Sequence, residues 1–130
     1  GLERDVELIK TAEIIVFVYP TWWGGLPAQL KGWLERVMLP GTAFVFNDKN
    51  KVRPGLGNIK RIHIASTLGS PWLYVRIVND NGRRILARAF RLNTSVRTKV
   101  STSSLYAMDT ATDKSRKSFL LALEQKMESM

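Results

Sequence analysis

The chain has 130 residues, 45% of them hydrophobic, which fits one globular domain with a real core and excludes both a two-domain protein and a disordered one. It has no cysteine and a single histidine, His63, which excludes a disulfide scaffold, a thiolate metal site and a histidine cluster, so no metal is expected. The formal net charge is +9, and a field of that sign attracts phosphates, acidic proteins or nucleic acid.

The opening residues, GLERDVELIK, have no apolar core of a signal peptide, and no apolar run anywhere reaches the roughly 18 residues of a membrane span. A cytoplasmic setting is the expectation by default. Residues 3–11 read as a short amphipathic helix with Val6 and Ile9 inward. Residues 13–19, EIIVFVY, are a nearly continuous apolar run rich in β-branched and aromatic side chains. That is the pattern of a strand covered on both faces, and hence of a parallel sheet. Pro27 suits the first turn of a helix. Leu30, Trp33, Leu34 and Val37 give that helix its stripe, and Pro40-Gly41 stops it. Residues 47–59, NDKNKVRPGLGNI, are polar and broken by glycine and proline, so a loop is expected.

Residues 61–67, RIHIAST, form a second expected strand, with His63 a structural residue inside it. Residues 82–92 form a second main helix, with Ile85, Leu86, Ala89 and Phe90 inward. Residues 100–108, VSTSSLYAM, are the third strand. Thr110 and Asp113 have capping-box spacing, and the last helix carries Leu120, Leu123, Met127 and Met130 on one stripe. No repeat or domain boundary interrupts residues 1–130, which read as a single domain.

The charge is uneven. Between Lys49 and Lys99 there are twelve basic residues and one acidic residue, Asp80, against eight basic and ten acidic elsewhere. Arg84, Arg88 and Arg91 fall at helical spacing, so a solvated face is the plain reading of part of this excess. Nucleic acid is not expected as a partner, because no aromatic residues are interleaved at base-stacking spacing.

Alternating strands and helices imply right-handed crossovers and a three-layer α/β sandwich. Ligands in such sheets bind at the carboxyl ends of the strands. Two loops leave those ends, PTWWGGLP and TLGSPWLY. Their glycines admit close backbone approach, their tryptophans offer stacking faces, and their amides and hydroxyls offer directed hydrogen bonds. The combination suits a flat heterocycle with polar edges. Core or interface burial of Trp22 and Trp23 fits the spacing equally well.

The stretch IIVFVYPTWWGGLPAQLKGWLERVMLPGTAF resembles the flavodoxin-like NAD(P)H:quinone oxidoreductase family in its P-x-WW-x-G-x-PA-x-LKGW-x-(D/E)-RV form. Thr67-Leu68-Gly69-Ser70 is similar to that family's Thr-x-Gly-(Gly/Ser) loop, and LYAMDTATDKSRKSFLLALEQKM also resembles family sequence. The resemblance implies a flavodoxin-like fold and a bound FMN or FAD. It implies hydride transfer from NAD(P)H to a quinone-like acceptor, and a homodimer through the Trp33 helix and neighbouring loops. It places Pro20, Thr21, Trp22, Trp23 and Gly24 along the isoalloxazine. Thr67, Leu68, Gly69 and Ser70 cover the pyrimidine side, and Tyr74 lies near the open ring face as the candidate catalytic residue. The histidine that some members carry after the second loop is missing from residues 71–90.

The family begins with a strand, a phosphate-binding loop, a helix and another strand, and no HP-x-x-x-S-x-N-like or Ser/Thr-Gly-Thr loop occurs here. The expectation is therefore an N-terminally truncated flavodoxin-like chain, the carboxyl-terminal two-thirds of the fold. Strand 13–19 would then keep an unpaired edge, and flavin would be held weakly. A non-catalytic flavodoxin-like regulatory protein or truncated homologue is the alternative. A basic binding module for an acidic partner comes third.

Overall fold

A computed structural model describes all 130 residues. Helix α1 (Leu2–Thr11) leads into strand β1 (Ile14–Pro20), and helix α2 spans Ala28–Val37. Pro27, extended with φ −57°, forms the N-cap of α2. Strand β4 (Arg61–Thr67) pairs in parallel with β1 on one side and with β5 (Lys99–Leu105) on the other, giving the order β1-β4-β5. The expected parallel sheet is present, and its central strand is the most buried, with Ile62, His63 and Ile64 closed off from solvent.

Alternation along the strands divides the sheet into two faces. Phe17 and Tyr19 of β1 and Ile62 and Ile64 of β4 share the main core with Ile9 of α1, Leu34 and Val37 of α2, and Leu86 and Phe90. Phe17 meets Phe90 edge-on at 5.1 Å and Trp33 at 6.4 Å, and the Trp33 Nε1–H donates to Asp5 Oδ2 at 3.1 Å. The Trp33 ring is therefore turned inward and adds little to the outer surface. Helix α5 (Asp113–Glu128) lies on the opposite face, tied to it through Arg61, which donates to the backbone oxygens of Ser129 and Met130.

Four expectations are corrected. Residues 47–59 are not all loop: β3 (Val52–Pro54) pairs antiparallel with β2 (Phe44–Phe46). Asn47 Oδ1 closes the hairpin by accepting the amides of Lys49 and Lys51. Residues 72–78 form helix α3, which the sequence hides, because WLYVRIV is as good a strand pattern as a helix pattern. The helix expected over 82–92 starts one residue earlier as α4 (Asn81–Arg84), then widens into a π-turn at Ile85–Phe90 and tightens into a 3-10 turn at Arg91–Asn93. The last helix is capped by Thr112, whose hydroxyl accepts the Ser115 amide at 3.2 Å, and not by Thr110. Leu123 and Met127 sit on its half-buried side as expected, but Phe119 takes the place of Leu120, which is exposed.

Candidate functional site

The two loops at the carboxyl end of the sheet are built by different devices. The Thr21 amide donates to the Thr67 carbonyl at 2.8 Å, prolonging the β1–β4 pairing by one step. Trp22 and Gly25 then exchange backbone bonds of 3.3 and 2.8 Å, closing a tight turn. Trp23 (φ 49°) and Gly24 (φ 68°) sit at its tip in the left-handed region. Glycine takes that conformation freely, whereas a tryptophan there is strained. The Gly24 carbonyl accepts the Asn81 amide at 2.9 Å, docking the turn on the start of α4.

The second loop is laced to the exit of β5. Leu68 donates to Leu105, Met108 to Leu68, and Ala107 to Ser70, all at 2.9–3.0 Å. Ala107 is also left-handed, with φ 50°. Strained non-glycine residues thus gather around these loops, as they do at functional sites.

A cavity of about 390 Å³ opens between the loops. Of the residues singled out in the sequence, Thr21, Trp22, Trp23, Gly24, Leu68, Gly69, Ser70 and Tyr74 all line it. Pro20 and Thr67 do not. They are paired with one another in the last register step of β1 and β4, one residue behind the cavity. The wall that sequence reasoning missed comes from α3 and its exit: Val75, Val78, Asn79, Asp80 and Asn81. The run Asn79-Asp80-Asn81-Gly82 is a turn signal that could have split the 72–92 region into two helices.

The polar inventory of the cavity is unusual. The amides of Trp23, Gly24, Gly69 and Ser70 donate to no protein acceptor, and the Thr21 hydroxyl is buried without a partner. Buried polar groups are ordinarily satisfied, so the buried Thr21 hydroxyl calls for a hydrogen-bonding partner from the cavity. The four amides belong to residues that line the same cavity, with Trp23 and Gly69 open to solvent. Asp80 is 3% exposed. Its Oδ1 accepts the Arg83 amide at 3.0 Å, and its Oδ2 lies 3.6 Å from the Arg83 guanidinium. Behind the site, the Tyr19 hydroxyl is buried without a partner. Burial first, and the Asp80 charge second, push its pKa well above the ordinary tyrosine value, against a smaller opposing pull from Arg83. Tyr19 is thereby held as a neutral phenol.

His63 is not part of the cavity. It is fully buried in the sheet, with Nδ1 2.8 Å from the Ser101 hydroxyl. Burial lowers its pKa, and the Lys126 charge lowers it further.

A protein-family model described as "Flavodoxin-like fold" matches residues 2–91. The chain belongs to the flavodoxin-like family. Among curated members, an uncharacterized NAD(P)H oxidoreductase of Haemophilus influenzae is 38% identical over 69 residues, covering 53% of this chain and 33% of that protein. An FMN-dependent NADH:quinone oxidoreductase of Albidiferax ferrireducens is 33% identical over 70 residues, covering 54% and 34%. The chain thus spans about a third of the length of these relatives. The crystal structure of Smu.1420 from Streptococcus mutans superposes with a TM-score of 0.83 at 24% identity, over 99% of this chain and 66% of that one. That likeness speaks for the flavodoxin-like fold. No helix is long and apolar enough to cross a membrane.

Proposed function

We propose that this flavodoxin-like chain serves a flavin-dependent oxidoreductase that moves hydride from NAD(P)H to a quinone-like acceptor, with the flavin ring in the cavity between the Trp22-Trp23 turn and the Leu68–Ser70 loop. The observation that carries the reading is a cavity lined by Trp22 and Trp23, by the buried, unpartnered Thr21 hydroxyl, and by residues whose amides (Trp23, Gly24, Gly69 and Ser70) have no protein acceptor. An isoalloxazine has large flat faces and a pyrimidine edge rich in acceptors, so the donor set and the aromatic surface both fit it. The name of the Albidiferax relative favours FMN over FAD.

When bound, the flavin supplies the redox chemistry itself. The protein's part is to hold and polarise. The Gly69 and Ser70 amides and the Thr21 hydroxyl would hold the polar edge of a bound ring, the kind of donor set that stabilises negative charge. Trp22 and Trp23 supply faces, while Leu68, Val75 and Val78 keep water from the inner wall. Tyr74, which lines the cavity and is 56% exposed, would orient nicotinamide or acceptor against the bound ring. None of these roles asks a side chain to titrate. A reduced pyridine nucleotide as hydride source agrees with the cytoplasmic setting expected from the sequence.

Leu73 and Ile77 of α3, the helix that carries Tyr74, Val75 and Val78 of the cavity wall, are each more than half exposed. Exposed apolar side chains suit an interface, and we propose that the homodimer contact uses them.

The test is oxidation of NADH or NADPH in the presence of a soluble quinone at saturating FMN. Turnover should exceed that of free FMN alone, and Trp22→Ala should lower it by about tenfold, the loss of a stacking contact. Turnover no faster than that of free FMN would overturn the reading.

A further inference from the structure

A second, larger cavity of about 470 Å³ lies beside the ring cavity, on a neighbouring face of α3. The two share Val75, Asn79 and Asp80 as a common wall. What distinguishes the second is its charge. Arg76, Arg83, Arg84 and Arg88 all line it, and Asp80 is the one carboxylate among them. Asp80 is already engaged with the backbone and side chain of Arg83. Arg76, Arg84 and Arg88 form no ion pair. Arg76 is held over the Trp72 ring, its guanidinium carbon 5.4 Å from the ring centre, which fixes its direction and leaves its donors free.

Arginines on a solvated face spread apart. Arg91 shows the bland alternative, because its guanidinium donates to the carbonyls of Val96 and Thr98 and it lines neither cavity. Drawing three unpaired guanidiniums onto one concavity costs self-repulsion, which a bound polyanion removes. The planar fork of arginine matches phosphate oxygens two at a time. The volume lies within the usual range for a small-molecule site. The aromatic rings of Trp72 and Tyr106 in the same wall offer faces for a purine.

We propose that this arginine cavity is the phosphate subsite for the pyridine dinucleotide: it takes the phosphorylated adenylate end while the nicotinamide reaches into the neighbouring ring cavity. The identity of the dinucleotide rests on the reading of the ring cavity given above, whereas the anion site rests on the arginines alone. With several free guanidiniums, the cavity favours the ligand bearing more phosphate, which makes NADPH the preferred hydride donor.

The probe is 2′,5′-ADP, titrated calorimetrically into the full chain at moderate salt, with 5′-AMP as the lower-charge comparison. Expected are saturable binding, tighter for 2′,5′-ADP, and a loss of about tenfold or more for Arg84→Gln and for Arg88→Gln, as for removal of a charged hydrogen bond. Both side chains are exposed, so the variants should fold. Arg97→Gln, exposed and away from the cavity, should change nothing, and saturating FMN should not displace the probe. Absence of saturable binding overturns the proposal. So does an equal loss in Arg97→Gln, which would mean a diffuse basic field. Competitive displacement by FMN overturns it too, by assigning the cavity to the flavin's own phosphate. No arm needs turnover: if flavin fails to bind while 2′,5′-ADP binding holds its arginine dependence, the anion site stands and the ring-cavity reading falls.

Discussion

His63 shows how a residue that looks like chemistry can be architecture. It faces the α5 side of the central strand, paired to Ser101 and closed from solvent, and burial followed by the Lys126 charge lowers its pKa below the ordinary 6.5. The folded chain therefore binds a proton at His63 less readily than the unfolded chain does. The sign follows: this contribution is fully present above pH 6.5 and is lost as the pH falls below it, toward the lowered folded value. Urea denaturation at pH 7.5 and pH 5.5 should show a larger loss of stability for the wild type than for His63→Asn. Equal losses would show that the histidine does not titrate differently on folding. At the same scale, much of the site was legible. Tryptophan, glycine and threonine at a strand end state their chemistry in their side-chain types, and eight residues named from the sequence do share one cavity. Pro20 and Thr67 came with the family motifs, and a motif does not say where a strand stops pairing: the two residues face each other in the last step of the β1–β4 ladder.

At the scale of elements, the site depends on packing that no motif announces. Helix α3 lines both cavities, yet its sequence carries no helical periodicity that competes with its β-branched and aromatic content. The widened π-turn at Ile85–Phe90 is likewise invisible to a pattern of period 3.6. Gly82 connects this region to the ring loop. A Cβ at Gly82 would lie 2.9 Å from the Gly25 carbonyl carbon and 3.1 Å from the Leu26 nitrogen. Both are backbone atoms, so neither can rotate away. Gly82→Ala should cost about 1–3 kcal/mol, as overpacking does, and should move the Trp22–Gly25 turn. Chemical denaturation checks the first effect, and flavin affinity the second. A variant with wild-type stability and wild-type flavin affinity would show that the contact between α4 and the ring loop is slack.

At the scale of the molecule, the sheet is unevenly covered. Ile14, Val16 and Val18 share the α5 face of β1, and Val18 is 73% exposed. Helix α5 contacts β5 but leaves Leu120 and Leu121 in solvent. β1 pairs only with β4, so its other edge offers unpaired amides and carbonyls. Parallel strands are ordinarily buried on both faces, and an apolar face beside a free edge invites association. The expectation that EIIVFVY is covered on both faces therefore holds only on the side of Phe17 and Tyr19. Val18→Lys should raise the temperature at which light scattering begins on heating, without lowering the folded baseline. An unchanged onset would place the sticky surface elsewhere, on exposed α3 side chains such as Leu73 and Ile77.

The central claim, that the flavin ring occupies the cavity between the two loops, is tested most directly by titrating riboflavin and FMN into the chain and following quenching of flavin fluorescence. Riboflavin carries the ring without the phosphate, so it isolates the stacking and amide contacts of Trp22, Trp23, Gly69 and Ser70. Saturable quenching by both ligands is predicted. FMN should gain no more than about tenfold over riboflavin, because no phosphate-cradling loop of the family type occurs in residues 1–130 and the basic segment attracts phosphate without preorganised amides. Trp22→Ala should weaken both ligands alike, by about tenfold. Quenching that is absent for riboflavin, or that survives Trp22→Ala, Trp23→Ala and their double variant unchanged, would contradict the assignment.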